Sequence, residues 1–112
     1  MTLIINELIA DYNEYLTKVY PGCKKIVMNF SEEKMYEALQ MILDFSEGML
    51  WIESVSNHLK NEGNIIKLDI DKIKEYLLEI NEGLENQDFL LVSDIFEYEI
   101  MPFFEKDYSI VG

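Results

Sequence analysis

Ile70, Ile73, Leu77, Ile80 and Leu84 recur at spacings of three and four, with Lys72, Lys74, Glu75 and Glu79 between them. That period puts the five apolar side chains on one face of a helix and the charges on the other. The same spacing governs two earlier stretches. Ile5, Leu8, Tyr12, Tyr15 and Val19 mark a first helix over 3–20, widened by Ile4, Ile9 and Leu16. Met35, Ala38, Ile42, Phe45, Met49, Ile52 and Leu59 mark a second over 32–60. The regular stripe beginning at Ile70 marks a third over 70–85, and a fourth helix is expected over 88–101. Amphipathic helices joined by short connections predict an all-α, up-and-down antiparallel four-helix bundle, a single helical domain over 1–112.

Local chemistry sets the expected limits. Pro21 and Gly22 should end the first helix. Residues 23–30 then lose the helical period, so that Ile26, Val27 and Met28 read as an extended or crossing segment. Ser31 is the expected N-cap of the second helix, with Glu32 and Glu33 in its first turn and Phe30 and Met35 as a hydrophobic staple. This helix, roughly 43 Å long, is expected to bend modestly at Gly48, beyond which Trp51, Val55 and Leu59 face a new direction. Gly63 should stop it, Ile65 and Ile66 should plug one end of the core, and Asp69 should cap the third helix. Asn86-Gln87-Asp88 is a short connection that forces helices three and four into a hairpin. Pro102 should kink or stop the last helix near Met101 and leave an irregular tail.

The last helix is apolar nearly all round. Leu91, Val92, Ile95, Phe96, Tyr98 and Phe103 are expected inward, leaving Phe89, Leu90, Ile100, Met101 and Phe104 on the other side among Ser93, Asp94 and Glu97. Such a helix is either central to the fold or half of an interface. A wheel anchored on Ile95 carries Glu99 to the apolar face, where a carboxylate needs a partner unless Pro102 bends it into solvent. A metal-binding or acid–base site around Glu99 is therefore one alternative reading of function.

The rest of the chain is poor in reactive groups. It holds 22 acidic residues against nine lysines, no arginine, one histidine and one cysteine, for a formal net charge of -13. That field opposes nucleic acid and anionic membranes and favours basic partners. Without Arg there is no rigid fork for clamping phosphates, although AT-rich coding produces the same composition. Cys23 is unpaired, which fits a reducing cytoplasm. Its neighbours Lys24 and Lys25 favour a thiolate, but the one available acid–base partner is His58, and a packed thiol is the simpler reading. His58 lacks the Glu-x-x-His spacing of carboxylate-bundle metal sites and reads as a surface histidine near a helix C-terminus. Neither a phosphate-cradling glycine loop nor a nucleophile elbow occurs. The apolar stretch 1–10 carries Glu7 and no basic residue, so it reads as the start of a helix rather than a leader, and no apolar run has membrane length. Tyr12 and Tyr15 lie on the packing stripe and are assigned to the core rather than to ligand stacking. No enzyme activity, cofactor or metal is expected.

The stretch from Leu77-Leu78-Glu79-Ile80-Asn81-Glu82-Gly83-Leu84 through Leu91-Val92-Ser93-Asp94-Ile95-Phe96-Glu97-Tyr98 to Pro102 resembles a hairpin of small acidic helical-bundle proteins of low-GC bacteria. The resemblance implies no catalytic residue. In size, charge and helicity the chain also resembles flagellar-type export chaperones, cytosolic bundles that hold the amphipathic terminus of a secreted subunit. The expected function is noncatalytic binding of a protein partner, chaperone-like or regulatory, whose docking segment is basic or an amphipathic helix. The expected contact residues are Trp51, Val55, Phe89, Leu90, Asp94, Glu97, Met101 and Phe104. A structural homodimer, satisfying the second apolar face by itself, is the other alternative.

Overall fold

The computed structural model describes residues 2–111 and the side chains of residues 4–111; what the sequence suggests for Met1 and Gly112 lies outside the described residues. Pro21 has no N–H to give the Thr17 carbonyl, and its ring crowds that carbonyl, a cost of about 3 kcal/mol inside a helix. Even so, α1 runs unbroken over Thr2–Ser31. The expected stop fails because the residues beyond Pro21 resume the packing stripe. Cys23 and Ile26 are almost completely buried and Phe30 packs against the core, and each large apolar side chain so buried returns about 1.5–3 kcal/mol. The segment expected to be extended or crossing is thus the last third of α1, and the molecule's long dimension of 46 Å matches the length of this helix.

α2 (Met35–Asn61), α3 (Ile70–Glu85) and α4 (Phe89–Ile95) follow, the last continuing through a π turn (Phe96–Ile100) into α5 (Met101–Phe103). Together they make the all-α, up-and-down four-helix bundle that the periodicity predicts. α1 is its spine, antiparallel to α2, with Tyr12 level with Ser56 and Asn29 level with Met41. The α3 and α4 hairpin closes on it with Val92 packed against Gly83.

Ser31 does not cap α2; it is the final residue of α1, and Lys34 precedes α2 without a capping side chain. The α1 end is closed instead by a Schellman turn, in which the Lys34 N–H donates to the Asn29 carbonyl at 2.8 Å and the Glu33 N–H to the Phe30 carbonyl at 3.1 Å. The Phe30 and Met35 pair therefore brackets a helix–helix corner rather than a staple. The same two bonds recur at Gly63 and Asn64, and again at Gln87 and Asp88. Each turn needs a left-handed residue, and only one of the three is glycine: φ is 60° at Glu33, 55° at Gln87 and 93° at Gly63. A side chain in that region is strained by about 1–2 kcal/mol. Glu33→Gly and Gln87→Gly are each expected to raise stability by about 0.5–1 kcal/mol, after the entropy glycine gains in the unfolded chain, read from the urea midpoint.

Asp69 and Asp88 cap α3 and α4 by accepting from the N–H groups of Lys72 at 3.1 Å and Leu91 at 3.2 Å. Between α2 and α3 it is Leu68, with Ile66 beside it, that seals the core, while Ile65 projects into solvent because its neighbours alternate across the connector. Beyond Gly48 the expected change of face does not occur. Ile52, Val55 and Leu59 continue one inward row, while Leu50 and Trp51 turn outward. Gly48 matters for close packing instead, because a Cβ there would overlap the Tyr15 hydroxyl; the glycine lets α1 and α2 approach.

The largest correction concerns the last helix. In its π turn the Met101 N–H donates to the Phe96 carbonyl five residues back. This wider turn sits directly before Pro102, which has no N–H to give the Tyr98 carbonyl. One extra residue per turn rotates everything downstream. From Ile95 the inward position is reached at Ile100 and Phe104 instead of Glu99 and Phe103, so Ile100 and Phe104 are buried, whereas Tyr98 and Glu99 face out. Leu91, expected inward, is exposed upstream of the turn, where Val92 and Ile95 fill the inward positions of α4. The tail is irregular but anchored. The Asn13 side chain donates to the Ile110 carbonyl at 2.9 Å and accepts from the Ile110 N–H at 2.8 Å, and Ile110 is buried.

Candidate functional site

Phe89 and Leu90, Ser93 and Asp94, and Glu97 fall one helical turn apart on α4 and the π turn. They face the last turns of α1, where Val27, Phe30 and Ser31 share an edge, and the first residue of α2, Met35. Between these edges lies an open groove of about 410 Å³. Its floor is aromatic: Phe30 and Phe89 stack with centroids 6.4 Å apart and planes 28° apart. Leu90 is 75 % exposed on its wall, and Asp94 and Glu97 hold one rim. Neither acid is paired with a lysine among the described residues. The Glu97 charge, and after it a hydrogen bond to the Glu97 carboxylate, raise the neighbouring Tyr98 phenol above its ordinary pKa.

Four of the expected contact residues are thus brought together: Phe89, Leu90, Asp94 and Glu97. The other four are not. Trp51 lies against Tyr15 on the α1–α2 side and lines a separate cavity. Val55 and Phe104 are buried, each 7 % exposed, and neither can meet a partner. Val55 belongs to the inward row of α2, and Phe104 is turned in by the π turn and packed against Phe103 and Tyr108. Met101 is half-buried against the core. Val27, Phe30 and Met35 escape a sequence reading in which α1 ends at Tyr20; the continued spacing of Cys23, Ile26 and Phe30 past Pro21 carries that signal.

The chemistry-bearing residues are dispersed. Cys23 is buried, and burial pushes its thiol up from 9.0 to about 12. The folded state prefers the neutral thiol, so this contribution to stability is intact below the ordinary thiol range and is lost as pH rises toward about 12. In the native protein Cys23 should resist iodoacetamide at mildly alkaline pH and react within minutes once the chain is unfolded, which mass spectrometry of the labelled protein checks. Glu99 is exposed, and its backbone carbonyl accepts a long bond from the Tyr76 hydroxyl at 3.4 Å. Partial burial, and after it the Glu99 charge, raise the carboxyl pKa of nearby Glu79. No group of three or more His, Cys, Asp or Glu placed to hold a metal occurs among the described residues. Nor, among them, is any helix long and apolar enough to cross a membrane.

A family model described as Domain of unknown function (DUF8042) matches residues 7–107. The chain belongs to that family. The match takes in every element of the DUF8042 bundle, from the first turns of α1 through the π turn and Pro102, and both edges of the groove. No curated protein and no solved structure matches the chain.

Proposed function

We propose that this DUF8042 protein is a noncatalytic binding module that holds a basic amphipathic helix of a protein partner in the groove between the end of α1 and α4. The observation that supports it is the pairing, in one place, of an apolar floor with an unneutralised acidic rim. An amphipathic helix would lay its apolar residues on Phe30, Phe89 and Leu90 and set its lysines or arginines against Asp94 and Glu97. The net charge of -13 would steer such a partner and repel nucleic acid and anionic lipid. The likeness of the last third to small acidic helical proteins of low-GC bacteria, the chaperone-like plan and the lone buried thiol fit a cytoplasmic bacterial protein of this kind.

Isothermal titration with a Lys/Leu amphipathic helical peptide tests the proposal. The peptide should bind less tightly as salt rises, and Leu90→Ala and Glu97→Lys should each weaken it about tenfold. Both side chains are solvent-accessible, so the variants will fold. An affinity unchanged by both substitutions, or no binding at low salt, would overturn it.

A further inference from the structure

A second surface feature shares no residue with that groove. Glu14, Tyr15 and Lys18 lie three, four and seven residues after Asp11 along one edge of α1, opposite Gly48 and Trp51 on α2. These six residues line a cavity of about 300 Å³. Tyr15 and Trp51 meet edge to face at 67°, centroids 5.8 Å apart, and Trp51 remains 38 % exposed. Glycine at position 48 is what allows the phenol to lie there. Glu14 is engaged by Lys18 at 3.3 Å, whereas Asp11, at the other end of the cavity, has no ion-pair partner among the described residues.

The geometry points to a binding site for an organic cation, an alkylammonium or guanidinium group, held against the Trp51 and Tyr15 rings and neutralised by Asp11. Aromatic faces attract such cations through their negative quadrupoles, and weakly hydrated organic cations gain more from that contact than sodium does. A carboxylate beside the rings supplies the counter-charge. Lys18 is taken up by Glu14, which leaves Asp11 as the carboxylate of the cavity lining without an ion-pair partner among the described residues. The inference does not depend on the groove proposal: a free small cation and the basic side chain of a partner present the same chemistry here.

Trp51 is the one tryptophan of the chain, so selectively excited tryptophan emission reports on this site alone. Tetramethylammonium chloride and acetyl-arginine amide are titrated separately, with sodium chloride at matched ionic strength as reference. The site predicts a saturable change in Trp51 emission with at least one organic cation, none with sodium, and affinity roughly threefold weaker in Asp11→Asn. A response to tetramethylammonium alone assigns a free quaternary amine, and a response to the arginine amide assigns a basic side chain. A linear or sodium-matched response, or an unchanged affinity in Asp11→Asn, would overturn the inference. Asp11 is exposed, so its substitution leaves the fold intact.

Discussion

Ile100→Ala is expected to destabilise the protein by about 2–5 kcal/mol, while Glu99→Ala, one residue earlier, stays within about 0.5 kcal/mol of the parent chain. The contrast follows from the π turn. In an unbroken α-helix anchored on Ile95, the next inward position is four residues on, at Glu99. With the Met101 N–H bonded to the Phe96 carbonyl, that position is five residues on, at Ile100, whose side chain is fully buried. Truncating it leaves a cavity in the core beneath the last helix. Truncating Glu99 removes a solvated carboxylate and leaves the carbonyl that accepts from Tyr76 in place. Urea unfolding of the two variants side by side measures the difference, and equal costs would mean that the turn is not widened.

Phe96→Ala should be costlier still, about 3–5 kcal/mol. Its ring has no exposed surface and stands edge-on to Phe45 of α2, centroids 5.1 Å apart and planes at 75°. It is thus a buried aromatic contact between α2 and the last helix across the core. An edge-to-face pair contributes about 0.5–1.5 kcal/mol beyond the area it buries. The loss is a large share of a total stability of about 5–15 kcal/mol, and the thermal midpoint should fall by at least about 10 °C. Phe96→Leu, which keeps most of the volume, should recover more than half of that fall. Circular dichroism against temperature reads both.

What is legible in the amino-acid sequence is what depends on near neighbours. Asp69 caps α3 because its carboxylate reaches the N–H three residues ahead, and the same local rule serves Asp88, which reads in the sequence as the end of the connection. Gly63 stops α2 because it enters the left-handed region without strain, and the α3 face follows from spacing alone, although Tyr76 and Gly83 also lie in it. The departures have a common cause in longer-range effects. Pro21 opposes a helix locally, and the burial of Cys23, Ile26 and Phe30 against other elements outweighs it. Glu33 and Gln87 occupy left-handed turns that composition does not favour, held there by the hairpins on either side. The Asn13 and Ile110 pairing spans nearly the whole chain. For the groove, the α4 edge is legible as apolar residues stranded among acids on a helix already apolar elsewhere. The α1 edge is not, since it exists only because α1 continues past Pro21. Val55 and Phe104 depart from expectation for reasons of register: Val55 because the inward row of α2 continues past Gly48, Phe104 because of an unexpected turn in the last helix.

The most direct measurement on the proposed groove is a two-dimensional amide NMR titration of the protein with a basic amphipathic helical peptide. Docking in the groove predicts that the largest shifts cluster on Phe30, Met35, Phe89, Leu90, Asp94 and Glu97, with the Asn13 and Ile110 end of the bundle unmoved. Shifts centred on any other face, or none at peptide concentrations that saturate the calorimetric signal, would contradict it.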